Sequence, residues 1–409
     1  MRIFISDSKT EFPAINITRN IKCNFCLNEQ QRLFYTYFHH GYQQQVHYCR
    51  SCIAQGVHSK HYLHLEATHH FKESIKLELP FELTCQQKKA SAFILEQIKK
   101  QQTCLLYAVT GAGKTEMILD GIVEVRKKGG NVAVVSPRTD VVKELSLRLT
   151  NYLKTTHIAT LYAGHSEITS EHLIISTIHQ LMYFIDHFDL IIIDEIDAYP
   201  VGYDPRLMKL LRRAKTHNGI FVYLSATPPK YIRKECRQST VYLPLRYHER
   251  TLPVPEFRFL SQKSITRNLK KLLDKVTHKN TLLIFFNDIQ LMEACYDAFP
   301  QNLQQKTICV YASDHERHAK VDAIRKGEYQ FILTTTILER GFTMYGLSVW
   351  VINSHQFKSD SLIQIAGRVD RKGEKRNGEV LFFHDGISKS MIQAVKDIKL
   401  MNRRGRDVS

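Results

Sequence analysis

Long hydrophobic runs are absent from this 409-residue sequence. Apolar stretches such as Leu190–Ile193 and Thr281–Phe286 are much shorter than the roughly 18 residues that a membrane-spanning helix needs. Near the N-terminus, Asp7 and Glu11 interrupt any stretch that would form the apolar core of a signal peptide. We therefore expect neither a polytopic membrane protein nor a secreted one, and we place the protein in the cytoplasm.

Acidic residues are scarce relative to basic ones. Lysine and arginine total 57 while aspartate and glutamate total 40, which gives a formal net charge of +17. An excess of this size favours a polyanionic partner, either nucleic acid or an acidic membrane surface. A basic protein that is merely soluble is the alternative explanation.

Disulfide bonds are not expected, because a cytosolic chain keeps its nine cysteines reduced. Four of the nine form two CxxC pairs, Cys23 with Cys26 and Cys49 with Cys52. Each pair directs two thiolates at one point, and four converging thiolates suit a tetrahedral Zn²⁺ site. Reduced structural thiols, a redox pair and an iron–sulfur cluster are the alternatives.

The character of the sequence divides the chain into three segments. Residues 1–80 contain the CxxC pairs and show weak periodicity, as expected for a small zinc-ribbon-like module. Residues 81–245 and 246–409 each alternate short apolar runs with helical patterns, which predicts βαβ units and parallel sheets buried on both faces. The proline-containing segment Leu243–Phe257 is interpreted as the linker between these halves. The tail Met401–Ser409 is expected to fray.

A glycine-containing turn follows the first apolar strand of the second segment. The strand Thr103–Val109 leads into Thr110–Thr115 and then into a helical pattern, with Ala108 where the usual motif has its first glycine. Backbone N–H groups of such a loop close on phosphate oxygens. We expect Lys114 to contact the β- and γ-phosphates and Thr115 to hold Mg²⁺. A glycine-rich turn with a solvated lysine is the alternative.

Two adjacent carboxylates end another apolar strand. Asp194 closes the run Ile191–Ile193, and Glu195 follows it. A buried carboxylate is costly without a nearby cation, so Asp194 is expected to reach the phosphate-bound Mg²⁺. Glu195 is then placed to orient and deprotonate the attacking water. An acidic cap on a strand is the alternative.

With these two sites in order, the chain resembles superfamily 2 helicases and translocases. Short motifs of this superfamily follow one another from Leu83 to Arg371, and the full set in sequence is far more specific than any one of them. The matching segments are Gln87, Ala108–Thr115, Ser136–Arg138, Ser176–His179, Asp194–Asp197, Ser225–Thr227, Leu333–Gly341 and Gln364–Arg371.

The resemblance implies an α/β fold with two tandem RecA-like domains and ATP bound between them. It assigns catalysis to Lys114, Asp194 and Glu195 of the first domain and to Arg368 and Arg371 of the second. Arginine suits this role because its planar, permanently charged fork matches the spread charge of the transition state. Asp370 stands where these enzymes usually have glycine, next to Arg371.

The resemblance also assigns nucleotide and nucleic-acid contacts. Hydroxyl and backbone donors to phosphates do not read bases, so binding is expected to be independent of sequence. The expected nucleotide contacts are Gln87, Thr110, Gly111, Ala112, Gly113, Lys114, Thr115, Glu116 and Gly341. The expected nucleic-acid contacts are Pro137, Arg138, Thr177, His179, Thr334, Thr335 and Arg340.

A four-cysteine module directly before such an ATPase, together with Leu333–Gly341 and Asp194–Pro200, resembles the ComFA family of late competence proteins. That family implies a cytosolic motor at the inner face of the membrane that pulls single-stranded DNA through an uptake channel. It also implies a phosphoribosyltransferase-like partner, ComFC, and recombination mediators. A lone two-lobe unit could translocate, and a ring or a membrane-tethered dimer is equally compatible with the sequence.

Three alternative functions are considered. An RNA helicase of the DExD/H type is disfavoured by Gln364 in place of the usual histidine and by Ile196 in place of alanine. A general DNA or RNA helicase of repair or replication restart would share the ATPase motifs, but it would not account for the four cysteines that precede them. A zinc-ribbon scaffold with a weak or vestigial ATPase is disfavoured by the intact Lys114, Asp194 and Glu195.

Overall fold

The computed structural model describes residues 1–409 except 166–171, 203, 277–279, 340, 341, 343, 371–377 and 407–409, and it leaves out the side chain of His318. The chain divides into two compact units. The first comprises Met1–Leu106 and Lys114–Tyr242, and the second comprises Tyr107–Gly113 and Leu243–Ser409. None of the helices within the described residues is long and apolar enough to cross a membrane.

The N-terminal residues form three small antiparallel sheets of two strands each. Strand β1 pairs with β6, β2 with β3, and β4 with β5. Such short sheets bury little apolar surface, so the buried cysteines make up much of this part's interior. The strands are β1 (Arg2–Ser6), β2 (Ile15–Ile17), β3 (Ile21–Cys23), β4 (Phe34–His39), β5 (Gln44–Cys49) and β6 (Tyr62–Glu66).

A seven-stranded sheet follows. Its elements and two short flanking strands are β7 (Lys76–Leu77), α1 (Cys85–Lys99), β8 (Cys104–Ala108), α2 (Leu119–Lys127), β9 (Val132–Ser136), α3 (Thr139–Tyr152), β10 (Leu153–Lys154), β11 (Ala159–Leu161), β12 (Leu173–Thr177), β13 (Phe188–Asp194), α4 (Pro205–Ala214), β14 (Lys215–Ser225), α5 (Lys230–Glu235) and β15 (Thr240–Leu243). The strand order is β11-β12-β9-β13-β14-β8-β15, and β10 pairs separately with β7. The pairs β11–β12, β12–β9, β9–β13 and β13–β14 are parallel.

Continuous apolar runs explain the central strands of this sheet. Every residue of β8, β9 and β12 is buried, as expected for parallel strands covered by helices on both faces. Helix α1 begins at a capping box in which Thr84 and Gln87 exchange hydrogen bonds between side chain and backbone. Helix α4 begins at Asp204, with Pro205 in its first turn.

The second unit contains a six-stranded parallel sheet. Its order is β16-β21-β20-β17-β19-β18, and its core packs around Leu269, Leu282, Phe286 and Trp350. The predicted α/β class with two parallel sheets is therefore confirmed. The elements are β16 (Glu256–Phe259), α6 (Ile265–Leu273), β17 (Thr281–Phe285), α7 (Ile289–Asp297), α8 (Gln301–Gln304), β18 (Thr307–Val310), α9 (Arg317–Arg325), β19 (Phe331–Thr334), β20 (Leu347–Val351), α10 (Ser359–Ala366), β21 (Val380–His384) and α11 (Lys389–Arg406).

The expected linker and residues 401–406 of the expected tail have defined positions in the second unit. Helix α11 continues to Arg406, where the sequence predicted fraying. The buried Asn402 side chain explains this difference, because its Oδ1 accepts from Leu252 N at 3.0 Å and its Nδ2 donates to Leu252 O at 2.8 Å. These paired hydrogen bonds fix the end of the helix against the proline-containing segment.

Candidate nucleotide site and metal centre

The loop after β8 has the backbone geometry of a phosphate cradle. Gly111 and Gly113 have φ values of +79° and +81°, a left-handed region that strains any residue with a Cβ atom. Residues Lys114–Ile118 then form a short 3₁₀ turn that leads into α2. Alternating left-handed glycines turn successive N–H groups into a concave anion site.

Lys114 lies beside the first carboxylate of the acidic motif. Its Nζ atom is 3.4 Å from Asp194 Oδ1, and the two side chains are only 16% and 10% exposed. Burial raises the pKa of Asp194, Lys114 opposes this shift, and the neighbouring Glu195 and Asp197 carboxylates reinforce it. Three carboxylates thus lie close enough for their charges to interact, and the Lys114 ammonium group balances only one negative charge, so the charge balance allows a divalent cation here.

Glu195 follows strand β13 directly and has an unusual backbone conformation. Its φ is +55°, which is uncommon for a residue other than glycine. The backbone N–H of Glu195 donates to Asp194 Oδ1 at 3.0 Å and to Leu224 O at 3.1 Å. These two bonds hold the turn that places a second carboxylate directly after the strand.

Asp197 is held by two hydroxyl groups from the end of β14. Ser225 Oγ donates to Asp197 Oδ1 and Thr227 Oγ1 donates to Asp197 Oδ2, each at 2.6 Å. The Thr227 backbone N–H in turn donates to Ser225 Oγ at 2.9 Å. Ser225 and Thr227 therefore link the acidic motif to the end of β14 through hydrogen bonds.

We expect Thr227→Val to destabilise the first unit by about 1.5–3 kcal/mol, because a hydrogen bond to a charged group is lost while the shape of the side chain is kept. Urea-induced unfolding measures this change. Thr227→Ser retains the hydroxyl and should lose much less of the free energy of unfolding. Equal stability of the valine variant and the parent would show that Asp197 does not depend on this donor.

Arg148 of α3 is a site residue that the sequence did not indicate. Its Nη1 atom is 3.5 Å from Thr115 Oγ1, and its Nη2 atom is 3.7 Å from Glu116 Oε1. Glu116 is buried, which raises its pKa, and Arg148 opposes that shift. Nothing in the helical pattern of α3 distinguishes Arg148 from a solvated arginine, so only the folded arrangement reveals it.

Gln87 has a structural partner in addition to its expected role. Its Oε1 atom accepts from Thr84 N at 2.9 Å as part of the capping box of α1, and the side chain is buried. The resemblance assigned Gln87 to contact with the nucleotide. The structure shows that this side chain also fixes the start of the helix.

Arg368 is buried and donates to backbone carbonyls within the second unit. Its Nε donates to Glu339 O at 2.9 Å, its Nη2 donates to the same oxygen, and its Nη1 donates to Phe342 O. The neighbouring Gly367 packs so closely on Thr110 that a Cβ atom there would overlap the threonine hydroxyl. The other expected second-domain residues, Arg371 and Gly341, lie outside the described residues.

Arg246, in the segment interpreted as a linker, is almost fully buried. It is 2% exposed, and its Nη1 donates to Val369 O at 2.6 Å. The next residue, Tyr247, donates its N–H to Gly111 O at 3.0 Å. This segment therefore supports the backbone around the glycine loop and the Arg368 segment of the second unit.

The expected nucleic-acid contacts are distributed between surface and interior. Arg138 is partly exposed, and its Nη2 atom lies 3.6 Å from Asp140 Oδ2. His179 is half-buried, and this burial lowers the pKa of its imidazole. Thr335 is half-buried, whereas Pro137 and Thr177 are buried. Arg340 lies outside the described residues.

Thr334 requires a correction. Its side chain is fully buried, and its hydroxyl donates to Val310 O at 2.8 Å. The hydroxyl therefore stabilises strand β19 against β18 and is not presented to a nucleic-acid strand. Sequence cannot separate this threonine from Thr335, because the two are adjacent and identical in type.

The four cysteines of the CxxC pairs converge. Their Sγ atoms all lie within 4.8 Å of one another, and Cys23–Cys52 and Cys26–Cys49 are each separated by 3.7 Å. Tetrahedral zinc with Zn–S bonds of about 2.3 Å needs sulfur atoms about 3.8 Å apart. The cluster therefore has the donor set and the spacing to hold such an ion.

Two further residues support the cysteine cluster. The fully buried Asn28 donates from Nδ2 to Cys49 Sγ at 3.5 Å. Arg213 of α4 donates to Asn24 O at 2.7 Å and to Phe25 O at 2.8 Å, inside the first CxxC turn. Burial lowers the pKa of Arg213 to about 10, and the Cys26 and Cys23 thiols oppose this shift. Outer partners of this kind orient metal ligands, and the spacing of the cysteines gives no sign of them.

Three known families match successive parts of the chain. Residues 7–66 match the competence protein ComFA N-terminal domain. Residues 80–230 match the family described as the res subunit of type III restriction enzymes, and residues 264–373 match the helicase conserved C-terminal domain.

Two curated relatives cover nearly the whole chain. Competence protein ComFA of Bacillus subtilis is 36% identical over an alignment of 401 residues that covers 94% of this chain and 86% of that protein. The chain belongs to the ComFA family. Competence protein ComFA of Streptococcus pneumoniae is 35% identical over an alignment of 378 residues that covers 88% of this chain and 86% of the relative.

A solved structure supports the fold of this ComFA-family protein. Saccharomyces cerevisiae Dbp5 bound to RNA and ADP BeF3 aligns with a TM-score of 0.56 at 16% identity, covering 78% of this chain and 88% of Dbp5. At this identity the likeness concerns the fold alone. Together with the helicase families matched above, it makes this ComFA-family chain a competence-related, helicase-like ATPase.

Proposed function

We propose that the protein is an ATP-dependent motor that translocates single-stranded DNA during DNA uptake. The observation that supports this most is the Lys114–Asp194 pair beside a left-handed glycine loop, in a chain of the ComFA family. A structural scaffold would gain nothing from burying this charged pair, because the cost of desolvating buried charges is large.

Each residue of the first site has a role in this proposal. Lys114 would bind the β- and γ-phosphates, and Thr115 and Asp194 would hold Mg²⁺, which would supply positive charge to neutralise the phosphates. Glu195 orients the attacking water and takes its proton. Asp197, fixed by Ser225 and Thr227, ties this acidic motif to strand β14.

The proposal assigns Arg368 and Arg371 to the transferring phosphoryl group. The guanidinium group of Arg368 donates to the carbonyls of Glu339 and Phe342. A phosphoryl contact would therefore be made by a guanidinium group that is also anchored to this backbone. This anchoring would couple the nucleotide state to the backbone near Glu339, and Thr335 and Arg340 of that segment are assigned to the DNA strand.

Family membership supports the cellular setting of the proposal. The motor would act at the inner face of the cytoplasmic membrane, beside the DNA-uptake channel. ComFC and recombination mediators would be its protein partners, oligomerisation is compatible with this role, and zinc would be the ion in the cysteine cluster.

Nucleic-acid stimulation of ATP hydrolysis tests the function. We expect single-stranded DNA to raise the ATPase rate more than RNA or duplex DNA, because the proposed substrate is an incoming single strand. Affinity for the strand should fall steeply with salt, since phosphate contacts release counterions. The ATPase rate is measured by phosphate release, first without nucleic acid and then with each polymer. Equal stimulation by RNA would favour an RNA helicase, and no stimulation would favour the scaffold.

A further inference from the structure

The β4–β5 hairpin of the N-terminal part presents three tyrosines on one face. In the antiparallel register Tyr35 lies opposite Tyr48, and Tyr37 follows Tyr35 by two residues, so all three side chains share a face. The ring centroids of Tyr35 and Tyr48 are 6.0 Å apart, and those of Tyr37 and Tyr48 are 5.6 Å apart. Tyr35 is 43% exposed and Tyr37 is 42% exposed.

A guanidinium group extends this row of rings. The Cζ atom of Arg50 lies 5.0 Å from the Tyr35 ring centroid, and its Nη1 donates to Tyr35 Oη at 3.2 Å. Arg50 is itself exposed. Tyr35, Tyr37, Tyr48 and Arg50 together are called the hairpin face below.

The stretch of sequence that forms the hairpin face carries charge of one sign. Residues 30–65 contain no aspartate or glutamate, while they include Arg32, Arg50 and Lys60. The carboxylate of Asp7 reaches the opposite end of the hairpin, where it accepts from Tyr42 Oη at 2.6 Å. A polyanion can therefore approach the Arg50 end without meeting a carboxylate of residues 30–65.

We propose that the hairpin face binds single-stranded DNA, with bases stacked on the tyrosine rings and a phosphate paired with Arg50. This inference rests on the proposed function for the identity of the polymer. Stacking on aromatic rings tolerates any base, as a motor that must process every sequence requires. Cross-strand aromatic pairs also stabilise a hairpin. Rings that served packing alone would not need a neighbouring cation or this degree of exposure.

Binding of labelled oligothymidine, followed by fluorescence anisotropy, tests the proposal. The double variant Tyr35→Ala/Tyr37→Ala should weaken binding by roughly 10- to 100-fold, the effect of losing one or two stacked bases. An abasic strand of equal length should bind the parent and the variant alike, because it offers phosphates without bases. Unchanged affinity of the variant for oligothymidine would overturn the proposal and point to a protein partner for this face.

Phe38 offers a matched control. It is 48% exposed on the opposite face of the same hairpin, so Phe38→Ala removes an exposed ring without touching the hairpin face. The Phe38→Ala variant should bind oligothymidine with the same affinity as the parent. If Phe38→Ala weakened binding as much as the tyrosine variant, the hairpin face would have no special role.

Photo-crosslinking of the unmodified protein tests the proposal even if the Tyr35→Ala/Tyr37→Ala variant does not fold. A strand substituted with 5-iododeoxyuridine should crosslink to Tyr35, Tyr37 or Tyr48 in the unmodified full-length protein. Crosslinks confined to other residues would overturn the proposal. Stimulation of the parent's ATPase by single-stranded DNA, with crosslinks elsewhere, would reject the hairpin face and leave the proposed function standing. Loss of that stimulation would reject the proposed function itself.

Discussion

Lys114→Ala is expected to lower ATP turnover by at least about a hundredfold, the typical effect of removing one preorganised donor from a phosphoryl or oxyanion site. The physical reason is twofold. The variant loses the ammonium group that contacts the phosphates, and it leaves the buried Asp194 carboxylate without its partner at 3.4 Å. The pKa of Asp194, already raised by burial, should rise further and weaken the metal site. Phosphate release and binding of a fluorescent ATP analogue measure the two effects.

Glu195→Gln is the matched variant for this experiment. It keeps the size of the side chain and removes the proposed base, so turnover should fall by about 10²–10⁴-fold while nucleotide affinity is retained. Both variants should still bind single-stranded DNA, because neither alters the basic surface. Full turnover in Glu195→Gln would remove Glu195 from the chemistry, and full turnover in Lys114→Ala would reject the nucleotide site as described.

Cys23→Ser is expected to release the metal ion and to unfold the N-terminal part locally. The free energy of metal binding in structural zinc sites is about 10–16 kcal/mol, far more than the short two-stranded sheets can replace. Zinc content by atomic absorption should fall to near zero per chain. Limited proteolysis should show new cleavage within residues 1–80.

Cys85→Ser is the control for a change of cysteine alone. Cys85 is exposed at the start of α1 and lies outside the cluster, so this variant should keep both its metal and its resistance to protease. Metal retained by Cys23→Ser at the parent level would show that the four thiols serve as structural cysteines and not as ligands.

Sequence was sufficient for the features that depend on local pattern. The run Leu190–Ile193 predicted a buried parallel strand because apolar side chains on both faces leave few alternatives. The glycine loop was predictable for a similar reason, since Gly111 and Gly113 adopt a backbone conformation that other residues avoid. The CxxC pairs were equally informative, because their spacing is set by the geometry of a metal ligand pair.

Pairings between distant parts of the chain were not predictable. Asn402 and Leu252 are separated by 150 positions, and their two hydrogen bonds order a segment that looks like linker and tail in the sequence. Arg246 lies in a proline-containing segment typical of a surface loop, but it is almost fully buried on backbone carbonyls. Such contacts depend on tertiary geometry that neither periodicity nor composition encodes.

The bonds from Arg213 into the first CxxC turn have a practical consequence. A truncated chain that starts after residue 80 would keep this buried guanidinium but would lose its acceptors at Asn24 and Phe25. The helix that carries it would be destabilised, because the guanidinium would keep its bond to Met182 O but would lose the other two of these three backbone acceptors. Deleting the cysteine-containing part would therefore damage the neighbouring ATPase for reasons unrelated to DNA or metal, and single substitutions on the exposed hairpin are the sounder way to learn its role.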